Sequence, residues 1–186
     1  ASSAVLLTIV NDILDLATVD AGIMQLDLGR VKVRELLGEA REQIASRLKE
    51  SGLQIEIDGS DAPETMVGDH QRLKQILFKL MMNAANFAPE GSTISLECTG
   101  NDGEIVFRVS DSGPGVPEEL RETIFSRFAT GAQPGRKRGA GLGLSIVESF
   151  VGLHHGRVAI ENRPEGGATV TCRFPLDPQV TRDAAE

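Results

Sequence analysis

What this chain lacks narrows its function first. No apolar run approaches the roughly 20 residues that would span a bilayer, and no succession of signal-peptide type opens it. With 27 acidic against 19 basic residues the formal charge is -8, so the basic footprint that nucleic acid or an anionic membrane surface requires is missing. Cysteine is scarce. Cys98 and Cys172 each sit in an alternating pattern and read as buried free thiols, which neither make a metal site nor imply an oxidising compartment. A cytoplasmic segment is expected, with no membrane contact and no nucleic-acid partner. Histidine is scarce too: His70, His154 and His155 are all there is.

What is present begins with an amphipathic helix over 3–20, where Leu6, Ile9, Ile13 and Leu16 form a narrow seam. Such a seam suits a partner helix in a coiled coil or bundle, and the same residues could instead cap a globular core. A seam of this kind needs something to face, so a further N-terminal part is expected. Past Gly22, alternation of Met24, Leu26 and Leu28 predicts a half-buried strand. Leu37, Ala40, Ile44 and Leu48 predict a second helix ending at Ser51-Gly52. A strand through Leu53, Ile55 and Ile57 precedes a helix from Asp69 to Ala88, stopped by Pro89-Glu90-Gly91. Two strands then flank Asn101-Asp102-Gly103, whose Asp-Gly step supplies the positive φ of a tight turn. A short helix is expected over 116–128, an aperiodic loop over 129–138, a helix behind it, strands over 157–162 and 168–174, and a disordered polar tail after Asp177. Strands joined mostly by hairpins, with helices between, predict an α+β fold: a two-layer sandwich of a mixed, mainly antiparallel sheet with helices on one face, preceded by a helical segment.

Three pieces converge on one ligand. Gly139-Ala140-Gly141-Leu142-Gly143-Leu144 opens directly into a helix, so glycine backbone and the positive end of the helix dipole meet at one spot suited to phosphate. Arg127, Arg136, Lys137 and Arg138 stand ahead of it as counter-charges. On the helix from Asp69, Asn83 and Asn86 interrupt an apolar setting, and an asparagine oxygen is a good hard ligand for magnesium. At a strand mouth, Asp111 can accept from an exocyclic amine, while Gly113 and Gly115 let a flat ring lie against the backbone. A serine nucleophile at Ser112 lacks its partner residues, and a dinucleotide fingerprint at 139–143 lacks a preceding strand.

In these residues the chain resembles the C-terminal part of a bacterial sensor histidine kinase, whose Bergerat-type (GHKL) ATP-binding domain is shared with gyrase, Hsp90 and MutL. The matching runs are DHQRLKQILFKLMMNAANFAP, SDSGPG, IFSRFATG, GAGLGLSIV and PEGGATVTCRF, covering 69–174 in order and spacing. The resemblance implies ATP and Mg2+ as ligands, with Asn83 on the metal and Asp111 on the adenine amine. It also implies Gly113 and Gly115 at the adenine wall, with Phe125 and Phe128 anchoring a lid. Arg138, Gly139, Gly141, Gly143 and Leu144 would hold the phosphates, Asn86 would stand beside them, and Thr169 would support the adenine end. Residues 1–22 then resemble the second helix of a dimerisation and phosphoacceptor hairpin, with 23–33 a linker, 34–176 the catalytic domain and 177–186 a tail.

The function implied is presentation of the ATP γ-phosphate to an acceptor on the other hairpin helix, in a homodimer that serves a response regulator. No histidine here stands as that acceptor, so no catalytic residue is assigned within the chain and transfer by it alone is not expected. Lys79 replaces the usual first asparagine of its box and Asn86 a common phosphate-facing cation. The run VNDILDLATVDAGIMQLDL resembles the DivL-like subgroup, whose members act as regulators through partner contacts. With Lys79 and Asn86 it motivates an alternative: a pseudokinase scaffold that docks a response regulator or a partner kinase.

Overall fold

The computed structural model describes residues 2–127 and 142–179. Its elements run α1 (Ser2–Asp20), β1 (Gly29–Lys32), α2 (Val33–Arg47), β2 (Gln54–Asp61), β3 (Thr65–Gly68), α3 (His70–Phe87), β4 (Thr93–Asn101), β5 (Glu104–Ser110), α4 (Glu118–Arg121), α5 (Gly143–Leu153), β6 (Arg157–Asn162) and β7 (Ala168–Pro175). The main sheet has five strands in the order β2-β4-β5-β7-β6, with β2 parallel to β4 and every other pair antiparallel. The mixed, mainly antiparallel α+β architecture expected above is the one observed.

Alternation explains the layers. Ile94, Leu96 and Cys98 on β4, Ile105, Phe107 and Val109 on β5, and Val170, Cys172 and Phe174 on β7 share one face by register, and all are buried. Helix α3 meets that face with Leu73, Ile76, Leu77, Leu80 and Ala84, the three-and-four spacing of one helical stripe. Asp69 starts α3 by accepting from the Arg72 backbone N–H at 3.1 Å, a side-chain cap for an otherwise unpaired donor. Its other oxygen accepts from the Asp27 N–H, and its own N–H donates to Nε2 of His154. His154, fully buried at the end of α5, thereby ties that helix to the start of α3. Burial holds its imidazole below the ordinary range, against upward pulls from the Phe150 carbonyl and Asp69.

Several local expectations differ from the structure. The 24–28 run is not a strand: Met24, Leu26 and Leu28 are half-buried in alternation, but no neighbouring strand supplies a ladder. The strand forms just after it, as β1, and pairs with β3, which the sequence reading missed; each is four residues long. Helix α2 stops at Arg47, short of Ser51-Gly52. The helix expected over 116–128 is reduced to α4, followed by turns to Arg127. The loop over 129–138 and residues 180–186 of the tail lie outside the described residues.

The seam on α1 also divides. Leu16 is buried against the domain and Ile9 half-buried, whereas Leu6 and Ile13 are exposed together with Val10 and Leu14. Acidic residues accompany the docked side. Asp12 receives both of its hydrogen bonds from Lys79, at 2.6 and 2.7 Å. Asp15 receives Arg72 at 3.4 Å and Gln75 at 3.0 Å, and Asp20 receives Arg127 at 2.6 Å. No helix among the described residues is long and apolar enough to cross a membrane.

Candidate functional site

Helix α3, the end of β5 and the loop behind it bring three of the predicted residues, Asn83, Asp111 and Gly115, to one cleft. Asn83 and Phe87, four apart on α3, line it with Asp111, Gly115, Val116, Ile160, Ala168 and Val170. The space between them is about 10 Å³, room for a single water. The Asn83 side chain is half-buried and makes no hydrogen bond with another described residue, which leaves its oxygen available. Asn86 is half-buried on the next turn and does not line the cleft. A far larger concavity, about 940 Å³, lies between α2 and β2 beside Arg34, Leu37 and Ile57, and holds none of the predicted residues. Chemistry, not size, locates the site.

Asp111 is 5% exposed. Burial raises its pKa, while the backbone of Gly113 and Ala168 and the charge of Arg163 pull it back. Its Oδ1 accepts from the Gly113 N–H at 2.8 Å, which turns the chain across the strand mouth. Glycine is obligatory at that step: a Cβ on Gly113 would stand 2.5 Å from the Phe87 carbonyl oxygen. Gly115 has φ +78 and would press a Cβ onto the Asn162 side chain at 2.8 Å.

Three residues that sequence reasoning passed over hold this loop. Asn162, at the end of β6, accepts from the Val116 N–H at 2.7 Å and donates to the Val116 carbonyl at 2.9 Å, an amide clamp on one residue. Arg163 donates to the Asp111 carbonyl at 2.9 Å. Gly167, with φ +89, lies so close that a Cβ would overlap the Asp111 carbonyl oxygen. Only the Gly-Gly turn between β6 and β7 carried a sequence signal; Asn162 and Arg163 look like ordinary hairpin-end polar residues. Thr169 bonds the Ser110 hydroxyl at 2.7 Å, while its neighbours Ala168 and Val170 face the cleft.

The residues expected to hold phosphate are only partly described. Phe128, Arg138, Gly139 and Gly141 lie outside the described residues. Phe125 is half-buried against the core. Gly143 and Leu144 form the first turn of α5, whose N-cap Leu142 offers no side-chain hydrogen bond. The N–H groups of that turn therefore remain open to an anion among the described residues, at the positive end of the dipole. Lys79 packs beside it: a Cβ on Gly143 would meet Lys79 Cδ at 3.9 Å. No group of three or more His, Cys, Asp or Glu that could hold a metal occurs among the described residues, and Asn83, the residue expected on magnesium, lines this cleft with Asp111.

Comparison with known proteins gives this geometry a context. Residues 68–178 match the family model described as Histidine kinase-, DNA gyrase B-, and HSP90-like ATPase. The chain is 37% identical over 89% of its length to Sensor protein DivL of Caulobacter vibrioides, and 33% identical over 92% to Histidine protein kinase DivJ of the same organism. It spans 21% of the first protein and 29% of the second. Among solved structures it resembles full-length ShkA in complex with AMPPNP, with TM-score 0.79 and 33% identity over 91% of this chain and 35% of that one. The catalytic domain of histidine kinase ThkA gives 0.72 and 26%, covering 83% of this chain and 99% of that domain.

Proposed function

Because the chain belongs to the histidine kinase-, DNA gyrase B- and HSP90-like ATPase family, and its ATP-binding domain is of the histidine kinase type, we propose that it holds Mg-ATP and presents the γ-phosphate to an acceptor on a helix that pairs with α1. The observation that carries this reading is the cleft itself: a buried carboxylate at Asp111 and an Asn83 amide with no hydrogen bond among the described residues line one slot with Ala168 and Val170. In this reading Asp111 takes the adenine amine and Gly113 and Gly115 bring backbone to the ring. The open N–H groups at the start of α5 take phosphate oxygens. Asn83 would hold the magnesium ion, which when bound neutralises charge on the terminal phosphates. Positioning and charge neutralisation do most of the work in phosphoryl transfer, so the domain needs no strong base of its own.

The exposed stripe of Leu6, Val10, Ile13 and Leu14 on α1 supports a helical partner, and with it a homodimer through hairpin helices that serves a response regulator in the cytoplasm. Residues 1–22, 23–33, 34–176 and 177–186 are then hairpin helix, linker, catalytic domain and tail. Titration with a fluorescent ATP analogue, with and without magnesium, tests the site. Asp111→Asn is expected to weaken binding about a hundredfold, the scale of a hydrogen bond to a charged group, with or without metal. Asn83→Ala should remove only the magnesium-dependent part. Unchanged affinity in both variants overturns the reading. Lys79 and Asn86, at odds with the usual box, favour a second reading as a scaffold that docks a regulator or partner kinase. Absence of magnesium-dependent binding at millimolar nucleotide would select it.

A further inference from the structure

We infer that Lys79 is a phosphate ligand held in reserve by Asp12, so that ATP and helix α1 compete for one ammonium group. The inference rests on the ATP reading of the cleft and adds a regulatory contact to it. Lys79 and Asp12 are 11% and 9% exposed at the side chain, and Nζ lies 2.6 Å from one carboxylate oxygen and 2.7 Å from the other. An ammonium so far from water keeps an anionic partner, because losing it leaves a buried charge uncompensated. Two groups can serve as that partner. One is Asp12. The other is whatever anion sits at the open first turn of α5, since the Lys79 stem already lies against Gly143, with Cδ 3.9 Å from where its Cβ would be. Rotation about the last bonds of the side chain moves the charge between them.

Sequence position supports the same conclusion. Lys79 precedes Asn83 by four residues on α3, about 6 Å along the axis and on the same face. The ammonium therefore stands on the metal-competent side of the helix. Asp12 is also not an isolated contact, because Asp15 and Asp20 anchor the same side of α1 to Arg72, Gln75 and Arg127. Drawing Lys79 away removes the most buried link of that set and loosens α1. By linkage, anything that lifts α1 off the domain frees Lys79 and strengthens the hold on a terminal phosphate by the same factor.

The test compares ATP with ADP, since only the longer chain offers the extra phosphate. Binding of fluorescent ATP and ADP analogues is measured for the wild type, Asp12→Asn, Lys79→Met and the double variant. Asp12→Asn should raise the ATP-over-ADP preference on the order of tenfold, the size of an ordinary coupling between sites. In the Lys79→Met background the Asp12 change should have no effect. Hydrogen exchange on the unaltered protein supplies a readout that needs no variant: a non-hydrolysable ATP analogue should speed exchange in α1. An unchanged preference in Asp12→Asn, an equal gain without Lys79, or α1 amides as protected with ATP as without it, overturns the latch while leaving the nucleotide site intact. A wild type that binds neither nucleotide overturns the site reading, and the latch with it.

Discussion

The two ends of the proposed nucleotide site are built in opposite ways. At the adenine end, the backbone is over-determined: Gly113 sits against the Phe87 carbonyl, Gly167 against the Asp111 carbonyl, and Asn162 clamps both backbone groups of Val116. At the phosphate end, α5 begins without a side-chain cap, its first-turn N–H groups are open among the described residues, and the nearby cation is occupied by Asp12. On the proposed reading, one end takes a rigid ring by steric fit. The other would have its donors ready and keep a charge in reserve, so rigidity at the first end and exchangeable partners at the second would divide recognition from control.

The most severe way to break that contrast is Gly167→Ala. The new Cβ would fall on the Asp111 carbonyl oxygen, and the φ of +89 is one that L side chains rarely adopt. Strain at such a position and a clash against backbone together predict a loss of about 3 kcal/mol or more in urea unfolding, and of nucleotide binding with it. A variant that unfolds and binds like the wild type would show the adenine end to be as compliant as the other.

A milder perturbation reaches both ends at once through α3, the helix that carries Asn83 and Lys79. His154 accepts from the Asp69 N–H through Nε2 and donates from Nδ1 to the Phe150 carbonyl at 2.8 Å. Its lowered pKa means that the unfolded chain takes up a proton near 6.5 while the folded chain still refuses it. Below that pH the unfolded state binds more protons, so stability is complete above about pH 6.5 and falls as the solution is acidified toward the folded-state pKa. Urea midpoints taken between about pH 8 and pH 5 should decline on the acid side. His154→Gln should flatten this slope; an identical slope in the variant would remove His154 as its source.

What the sequence made legible follows from the range of each interaction. Helix α3, the β4–β5 turn at Asp102-Gly103 and the Asp111 loop are local patterns, and their residues stand where periodicity and turn chemistry put them. Asn162 acts on Val116, 46 residues away in sequence, and nothing near it marks a clamp. Asp12 and Lys79 are 67 residues apart, so the departure at Lys79 was visible while its partner was not. The alternation over 24–28 was read as a strand because alternation reports burial on one side and says nothing of a ladder neighbour. Strands β1 and β3 were missed for the converse reason: four residues with a single fully apolar buried side chain each, Val31 and Met66, carry too short a pattern.

The smallest expected effect sharpens the comparison most. Gly143 has no positive φ, and a Cβ there meets only the flexible Lys79 stem at 3.9 Å, an ordinary contact. If this glycine served close approach, as Gly113 and Gly167 do, alanine would be damaging. If it serves by offering its N–H at the first turn of α5, alanine keeps the donor and improves the helix. The second account matches the geometry, so Gly143→Ala should gain up to about 1 kcal/mol in urea unfolding, the helix preference of alanine over glycine. Affinity for the ATP analogue should stay within about threefold, because the backbone donor is retained. A tenfold or greater loss of affinity with stability intact would mean that phosphate approaches this backbone as tightly as the Phe87 and Asp111 carbonyls approach the glycines opposite, and the two ends would then be built alike.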